Sequence, residues 1–300
     1  MIETKSVASA GFRPCVLLCL LTLLLTPPGA ATILVEEPFN YSLGEINGVT
    51  ANAGGTVGLT GTWNANVNAT RIVPQVLTYS VPGFIGLGGS PALEVARPGN
   101  DTAHVALGGS GVNLDSIYVG FLFKFAGTPS NNELLELWLD TVTQGNHNTA
   151  ALLGVRVNSG PGGADFYATS DGSQGRTYSP TQLQANSTYF LLMRIYKSVP
   201  GAGNVYNAVS LWVNPTGYDV NNPQVSMLFN GGHLSEFAYI GFRGQGWDRN
   251  SSDVVWVDNL LITDSWGDIF REVPEPGTLS LVGLASVIFG LRILLRRRDA

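Results

Sequence analysis

Cysteine is nearly absent from the chain. Both cysteines, Cys15 and Cys19, lie in the apolar stretch near the N-terminus. If export removes that stretch, the mature protein contains no thiol. Disulfide bonds, thiolate nucleophiles and cysteine-ligated metals are then excluded.

Charged residues are also scarce, at 13 % of the 300 residues, with a formal net charge of −6. Between Thr32 and Glu272 there are 10 Lys and Arg against 19 Asp and Glu. Because this acidic excess repels phosphate backbones, no nucleic acid is expected as a partner. The chain is instead rich in Gly, Asn and Thr, which is typical of strands and turns rather than of long helices.

The first 31 residues have the features of an export signal. Lys5 and Arg13 precede an apolar run at residues 16–25, and residues 27–31 read Pro-Pro-Gly-Ala-Ala. A basic start, a short apolar core and small residues at its exit predict a secretory signal peptide over residues 1–31, handled by the secretion machinery. The apolar run is only roughly 15 Å long as a helix, about half the bilayer's hydrocarbon thickness. This length favours cleavage over the alternative, an uncleaved anchor.

Residues 271–300 form a C-terminal segment of three parts. The first part is a short motif, Val273, Pro274, Glu275 and Pro276. An apolar run at residues 278–295 follows it, and the third part is a basic cluster, Arg296, Arg297 and Arg298. The prolines prevent a continuous helix from the preceding domain. The terminal arginines would hold their end of a single transmembrane-type helix at the cytoplasmic face.

This arrangement resembles the PEP-CTERM sorting signal of Gram-negative-type bacteria. The resemblance implies that an exosortase, a transpeptidase-like membrane enzyme, cuts near the Pro-Glu-Pro motif. The protein then passes to the envelope, the outer surface or the extracellular matrix, after transient anchoring in the inner membrane by the C-terminal helix. Arg292 departs from the family pattern because it interrupts the apolar run early. The alternative is an ordinary C-terminal anchor.

Residues 32–270 alternate short β-rich runs with Gly, Asn and Pro turns. The predicted strands are residues 72–80, 117–125, 134–142, 151–157, 189–196, 205–213, 237–242 and 254–262. Strands at this spacing, without helical stretches between them, predict one all-β domain, a sandwich or a barrel. The run at 117–125 has a period of two, which places Phe121 and Phe123 on one face and Gly120 and Leu122 on the other.

Three sequence blocks in this domain carry a second resemblance. They are residues 37–41 (Glu-Pro-Phe-Asn-Tyr) with Gly61-Thr62-Trp63, residues 209–215, and residues 257–266. In order and spacing they are similar to the concanavalin A-like, or laminin G-like, domains common in PEP-CTERM proteins. The resemblance implies a jelly-roll sandwich of about 12 to 14 antiparallel strands, with the first and last strands side by side.

Folds of this class host lectins, glycosidases and structural modules, so acidic pairs decide whether catalysis is expected. A retaining glycosidase needs two carboxyl groups about 5 to 5.5 Å apart. Glu133 and Glu136 point to opposite faces of a strand. Glu136 and Asp140 share a face but sit roughly 13 Å apart along it. No catalytic residue is therefore expected, and Trp138 is predicted to stand between two solvated acids on an outer face.

Two tryptophans are candidates for carbohydrate contact, Trp138 on this strand and Trp247 in a Gly-rich loop. The alternative to stacking on a sugar is that each indole ring packs within the protein, in the core or at an edge. Asp101, Asp171 and Asp248 are the candidates for calcium, because Asp and Asn oxygens in loops suit this ion. Their surroundings are also ordinary turn compositions.

The three histidines, His104, His147 and His233, are far apart in the sequence and form no short metal-ligand pair. Surface or turn positions are expected for them rather than catalysis. Besides calcium, no cofactor is expected.

The sequence therefore favours an exported, non-catalytic envelope or matrix protein whose sandwich contacts exopolysaccharide. The alternatives are a secreted glycan-active hydrolase and a calcium-dependent lectin or adhesin on the same fold. An acidic pair at alternate strand positions would favour the hydrolase, and glycan binding that a chelator abolishes would favour the calcium-dependent adhesin.

Overall fold

A computed structural model describes residues 32–273 except 68–69, 96–98, 109–111, 146, 202 and 246–252, and except the side chains of residues 54 and 99–101. The predicted signal peptide and the sorting tail from Pro274 onward lie outside the described residues. No helix in the described part of the chain is long and apolar enough to cross a membrane.

Within these residues the chain forms sixteen strands, one α-helix and two 3₁₀ turns. The strands are β1 (Ile33–Glu37), β2 (Gly44–Glu45), β3 (Leu59–Ala65), β4 (Thr70–Tyr79), β5 (Leu87–Val95), β6 (Gly99–Leu107), β7 (Ser116–Ala126), β8 (Leu134–Asp140), β9 (Ala151–Arg156), β10 (Phe166–Thr169), β11 (Thr177–Tyr178), β12 (Thr188–Tyr196), β13 (Ala208–Val213), β14 (Val225–Leu228), β15 (Tyr239–Gln245) and β16 (Val254–Thr263). The helix α1 is Trp266–Ile269, and the 3₁₀ turns are Ala51–Gly54 and Pro161–Gly163.

The strands form two antiparallel sheets, which confirms the predicted all-β class. The nine-stranded sheet has the order β14-β13-β12-β7-β16-β5-β4-β2, with β1 also paired to β16. The seven-stranded sheet has the order β11-β10-β9-β8-β15-β6-β3. The count exceeds the expected 12 to 14 strands, partly because β2 and β11 have only two residues each.

Aromatic side chains from both sheets meet in one hydrophobic core. Phe121 of β7 packs edge-on against Phe242 of β15, with ring centroids 5.5 Å apart. Phe123 of β7 meets Phe166 of β10 at 6.4 Å in the same way. The two sheets therefore pack face to face, as a β-sandwich requires.

The opposite face of β7 is also buried, although the period of two is as predicted. Leu122 belongs to a second hydrophobic cluster, on the outer face of the nine-stranded sheet. The segment around α1 covers this face, because Ile269 and Phe270 belong to the same cluster and Trp266 packs against it. One outer face of the sandwich is thus occupied by the protein's own chain.

The first and last strands pair, as predicted. In the antiparallel β1–β16 pair, Glu37 lies opposite Leu260. Beyond the pair, the backbone N–H of Thr32 donates to Oδ1 of Asp264 at 3.1 Å. The start of the domain is thereby fixed to its last strand.

Candidate functional site

The acidic strand β8 lies near the centre of the seven-stranded sheet, between β9 and β15. Its Leu135, Leu137 and Leu139 pack into the core of the sandwich. Because successive side chains alternate, Glu136 and Asp140 share the outer face of the sheet, as predicted.

The prediction that these two acids are solvated is wrong. Glu136 is fully buried, Asp140 is 3 % exposed, and Trp138 between them is fully buried. The period of two identifies which face a side chain points to, but it does not reveal what neighbouring strands and loops place over that face.

His147 covers Trp138. The imidazole and indole rings are stacked, with centroids 3.8 Å apart and an angle of 11° between planes. Nδ1 of His147 lies 2.9 Å from Oδ2 of Asp140, which holds the imidazole in place. On neighbouring β15, Gly241 leaves room for the indole, since a Cβ there would lie 2.4 Å from Cζ2 of Trp138.

Trp138 therefore has no free ring face for a sugar, contrary to its selection as a carbohydrate contact. His147 stands in a turn after β8, as predicted, but it is buried rather than on the surface. His104 also approaches Trp138, at 5.9 Å between ring centroids. Two histidines that are distant in sequence are thus brought to the same tryptophan.

Arg243 of β15 lies directly opposite Glu136 in the strand register. Nε of Arg243 forms a close ion pair with Oε1 of Glu136, and both side chains are buried. Burial raises the pKa of Glu136 above its ordinary value, while the positive charges of Arg243 and Arg176 act in the opposite direction.

Two further arginines approach from the other side of Glu136. Arg176, between β10 and β11, lies over the ring of Tyr167 at 5.0 Å and places Nη2 3.9 Å from Oε2 of Glu136. Arg156 ends β9, and its Nη2 donates to Oδ1 of Asn132 at 3.2 Å. No side chain intervenes on β9, because its residue opposite Glu136 is Gly154.

The three arginines line a cavity of about 300 Å³, which we call the arginine pocket. Its lining residues are Leu134, Asn148, Arg156, Arg176, Arg243, Gly244 and Gln245. Three of the 10 basic residues between Thr32 and Glu272 thus face one small volume of an otherwise acidic domain. Such a concentration of guanidinium groups creates a positive local potential.

Among the calcium candidates, only Asp171 has a described side chain. It is fully buried in a turn after β10. Its Oδ1 accepts hydrogen bonds from the backbone N–H and the hydroxyl of Ser173, and its Oδ2 contacts Nδ1 of His233. A calcium ion at this carboxylate would have to displace these partners.

The other candidates lie partly or wholly beyond the described residues. Asp101 belongs to β6, but its side chain is not described, and Trp247 and Asp248 lie in the undescribed stretch 246–252. In the parts of residues 32–273 that the structure covers, no group of three or more His, Cys, Asp or Glu is placed to hold a metal ion.

Of the predicted sorting residues, only Val273 is described. Its side chain is exposed, and its backbone N–H donates to the carbonyl of Gly83 at 2.9 Å. The motif residues Pro274, Glu275 and Pro276 and the cluster Arg296, Arg297 and Arg298 follow it outside the described residues.

None of the three arginines of the pocket was predicted from the sequence. They come from separate elements: Arg156 from β9, Arg176 from the connection after β10, and Arg243 from β15. The sequence offered one signal for this site, the small number of basic residues in the domain, because it leaves few candidates for a basic site. Their meeting depends on strand order, which the sequence pattern does not reveal.

A family model for the PEP-CTERM protein-sorting motif matches residues 272–298. The match confirms the sorting motif that the sequence predicts. The motif implies that the chain is exported, processed by an exosortase-type enzyme and associated with the cell envelope. No curated protein matches the chain.

Several solved structures are similar to the sandwich, all at low identity. The binding domain of botulinum neurotoxin serotype G has a TM-score of 0.45 and 11 % identity, covering 85 % of this chain and 51 % of that one, so the chain spans about half its length. Alginate lyase Aly36B in complex with alginate trisaccharide has a TM-score of 0.45 and 12 % identity, covering 81 % and 99 %. Domain 4 of AbnA, a GH43 extracellular arabinanase from Geobacillus stearothermophilus, in complex with arabinotriose, has a TM-score of 0.40 and 12 % identity, covering 78 % and 92 %.

Proposed function

We propose that the chain is an exported, non-catalytic protein of the cell envelope or extracellular matrix, and that its sandwich contacts exopolysaccharide. The observation that carries the proposal is the PEP-CTERM motif at residues 272–298, which follows an all-β domain. A protein with this motif is a substrate for sorting rather than a cytoplasmic enzyme.

The finer architecture in this proposal is a concanavalin A-like jelly roll with a C-terminal helix that anchors the chain transiently in the inner membrane. Two antiparallel sheets with β1 beside β16 support the jelly roll. The apolar run at residues 278–295, followed by arginines, supports the anchor.

We assign glycan contact to the outer face of the seven-stranded sheet. The corresponding face of the other sheet is covered by α1 and its neighbours, whereas this face contains the arginine pocket. Polar groups that converge in a cavity are the usual sign of a binding site.

Absence of catalysis is part of the proposal, and two features of the acids support it. Glu136 and Asp140 are four residues apart on one strand, roughly 13 Å along it, which is too far for a retaining or an inverting pair. Each also has a partner already, Arg243 for Glu136 and His147 for Asp140.

A glycan-active enzyme is the second candidate, and one observation favours it. Burial raises the pKa of Glu136 beside a cavity, which is how a glycosidase keeps its general acid protonated. Incubating the purified protein with polysaccharides and measuring released reducing ends and unsaturated products separates the candidates. Turnover that Glu136→Gln abolishes would establish the enzyme and overturn the non-catalytic assignment.

A calcium-dependent adhesin is the third version of the function, with Asp101 and Asp248 as the remaining ligand candidates. Its test is glycan binding in calcium and in excess chelator. A binding signal that disappears with chelator and returns with calcium would establish this version, and unchanged binding would exclude it.

The sorting assignment is tested by replacing Pro274 and Pro276 with alanine in the full-length chain. In cells with an exosortase system, we expect the variant to stay uncut and membrane-associated, while the parent is shortened at its C-terminus. Pro200→Ala, at an exposed proline of the sandwich outside the motif, is the matched control and should be processed normally. A double variant that is cut and released like the parent would contradict the assignment.

A further inference from the structure

We propose that the arginine pocket binds an anionic sugar residue, carrying either a carboxylate or a sulfate ester, within a longer glycan. This inference rests on the proposed glycan contact and names the chemical class of its ligand. The shared chemistry is a compact group of negatively charged oxygens, which is the natural partner of converging guanidinium groups.

The pocket carries a net positive charge. Arg156, Arg176 and Arg243 supply three positive charges, while Glu136 pairs with Arg243 and lies 3.9 Å from Arg176. With Glu136 ionised, the pocket retains a net charge of about +2, and protonation of Glu136 raises it further. The surrounding domain carries nine more acidic than basic residues, so this local sign is opposite to that of the domain.

Two of the arginines that line the pocket have a hydrogen-bond donor without an acceptor among the described residues. Nε of Arg156 and Nε of Arg176 are both buried and have no hydrogen-bond partner among the described residues. The 3.9 Å between Nη2 of Arg176 and Glu136 is longer than a hydrogen bond. Because these two guanidinium groups are only partly paired, an anion in the cavity that accepts from both arginines is favoured.

The three arginines are held in position before a ligand arrives. Stacking on Tyr167 fixes the guanidinium of Arg176, and Asn132 fixes that of Arg156. The ion pair with Glu136 does the same for Arg243. Binding to a preorganised site loses less side-chain entropy than binding to free surface arginines.

The size and surroundings of the cavity suit one residue of a glycan chain. Its volume of about 300 Å³ is at the lower end of the range for small-molecule sites, which suits one sugar residue. A second cavity of about 350 Å³ shares Arg176 and is lined by Tyr178 and two prolines. A neighbouring sugar residue of the same glycan could pack against these less polar groups, so the two cavities together fit a polymer.

The test measures binding of the full-length chain to polygalacturonate, to carboxyl-reduced polygalacturonate and to carrageenan. We expect at least about tenfold tighter binding to a charged polymer than to the neutral, carboxyl-reduced one. Preference between polygalacturonate and carrageenan distinguishes a carboxylate from a sulfate ligand. Affinity for the charged polymer should fall as NaCl is raised, because the contacts are ionic.

Variants locate the binding site. Arg156→Ala and Arg176→Ala should each weaken binding of the charged polymer by about tenfold or more. Arg71→Ala is the matched control, because it removes the same charge from an exposed arginine that pairs with Glu94 on the other sheet. A melting curve of each variant shows whether it is folded. The salt dependence of binding is measured on the parent, so it tests the inference even if a variant folds poorly.

The possible failures are distinguishable. Equal binding of charged and neutral polymers, or equal losses in Arg71→Ala and Arg176→Ala, would overturn the anionic-sugar inference and leave the proposed glycan contact standing. Absence of binding to every glycan, including the native exopolysaccharide, would overturn both. In each case the sorting assignment is tested separately.

Discussion

Glu37 and Asp258 are buried carboxyl groups on the paired strands β1 and β16, and burial, with a smaller contribution from the charge of Glu37, raises the pKa of Asp258. The two acids differ in their partners. Glu37 accepts hydrogen bonds from the backbone N–H of Phe39 and from the hydroxyls of Tyr41 and Thr56. Oδ2 of Asp258 is buried and has no hydrogen-bond partner among the described residues. The first and last strands are therefore joined beside an acid that is poorly solvated when ionised.

The first prediction is that Asp258 makes the domain less stable as the pH rises. Burial, with a smaller contribution from Glu37, raises the pKa of Asp258 to about 8, against about 4 in an unfolded chain. Its neutral form is favoured in the folded state, so this group's stabilising effect is complete below about pH 4 and is lost between about pH 4 and 8. We expect Asp258→Asn to raise the free energy of unfolding at pH 8 by about 2–4 kcal/mol.

Thermal unfolding of the parent and the variant at pH 5 and pH 8 measures this effect. Asp264→Asn is the control, since Asp264 lies just after the same strand but is exposed. The increase in melting temperature caused by Asp258→Asn should be larger at pH 8 than at pH 5. Asp264→Asn should change the melting temperature little at either pH. An Asp258→Asn protein that melts below the parent at pH 8 would contradict the prediction.

The second prediction is that Glu136 weakens the binding of a charged glycan. If the arginine pocket holds an anion, Glu136 competes with it for Arg243 and Arg176. Glu136→Gln removes that competing charge and keeps an oxygen acceptor opposite Arg243, so binding of the charged glycan should strengthen by a few-fold. Isothermal titration measures the change. Weaker binding after this substitution would show that Glu136 positions the arginines more than it competes with the ligand.

The third prediction is that Gly241 is required by the buried stack of Trp138 and His147. A Cβ at Gly241 would lie 2.4 Å from Cζ2 of Trp138 and 2.7 Å from the carbonyl oxygen of Ala103. We expect Gly241→Ala to lower the free energy of unfolding by about 1–3 kcal/mol, because the strand and the indole must move apart. Gly231→Ala is the control, since a Cβ there meets nothing within 4 Å.

Denaturant unfolding followed by tryptophan fluorescence measures the loss. The emission of Gly241→Ala should also shift to longer wavelength if Trp138 is pushed toward solvent. Equal stability of the two alanine variants would show that the sheet accommodates the extra methyl group.

Period-two patterns predicted the strands with large alternating side chains, such as β7, and the shared face of Glu136 and Asp140. They predicted no strand at β5, which begins with Leu87-Gly88-Gly89. Gly88 has a positive φ of 77°, and a Cβ there would lie 2.2 Å from the carbonyl oxygen of Leu77. A glycine required by close strand packing has the same sequence signature as a glycine in a turn.

The candidate site was harder to predict than the fold, because its parts meet only across strands. Glu136 and Arg243 are opposite each other through the register of β8 and β15, which lie far apart in the chain. His147 covers Trp138 through a turn whose path no periodicity describes. The sequence therefore identified the acidic strand, but it left out the arginine and histidine partners that bury the strand's polar side chains.

The last prediction concerns where the folded domain ends. Phe270 packs in the second hydrophobic cluster, Arg271 accepts a hydrogen bond from the backbone N–H of Ile85, and Val273 donates one to Gly83. These residues belong to the sandwich even though the match to the sorting motif begins at residue 272. A chain that stops after Val273 should therefore melt within a few degrees of the full-length protein.

A chain that stops after Asp268 is the matched comparison. It lacks Ile269 and Phe270, which are 2 % and 5 % exposed, so the outer face of the nine-stranded sheet loses part of its cover. Removing two such buried side chains should lower the free energy of unfolding by about 3 kcal/mol or more. Calorimetry of the two truncated chains after identical purification tests the boundary. If both melt together, residues 269–273 contribute nothing to the stability of the domain. If the longer one also melts far below the full-length chain, the sorting tail is part of the fold.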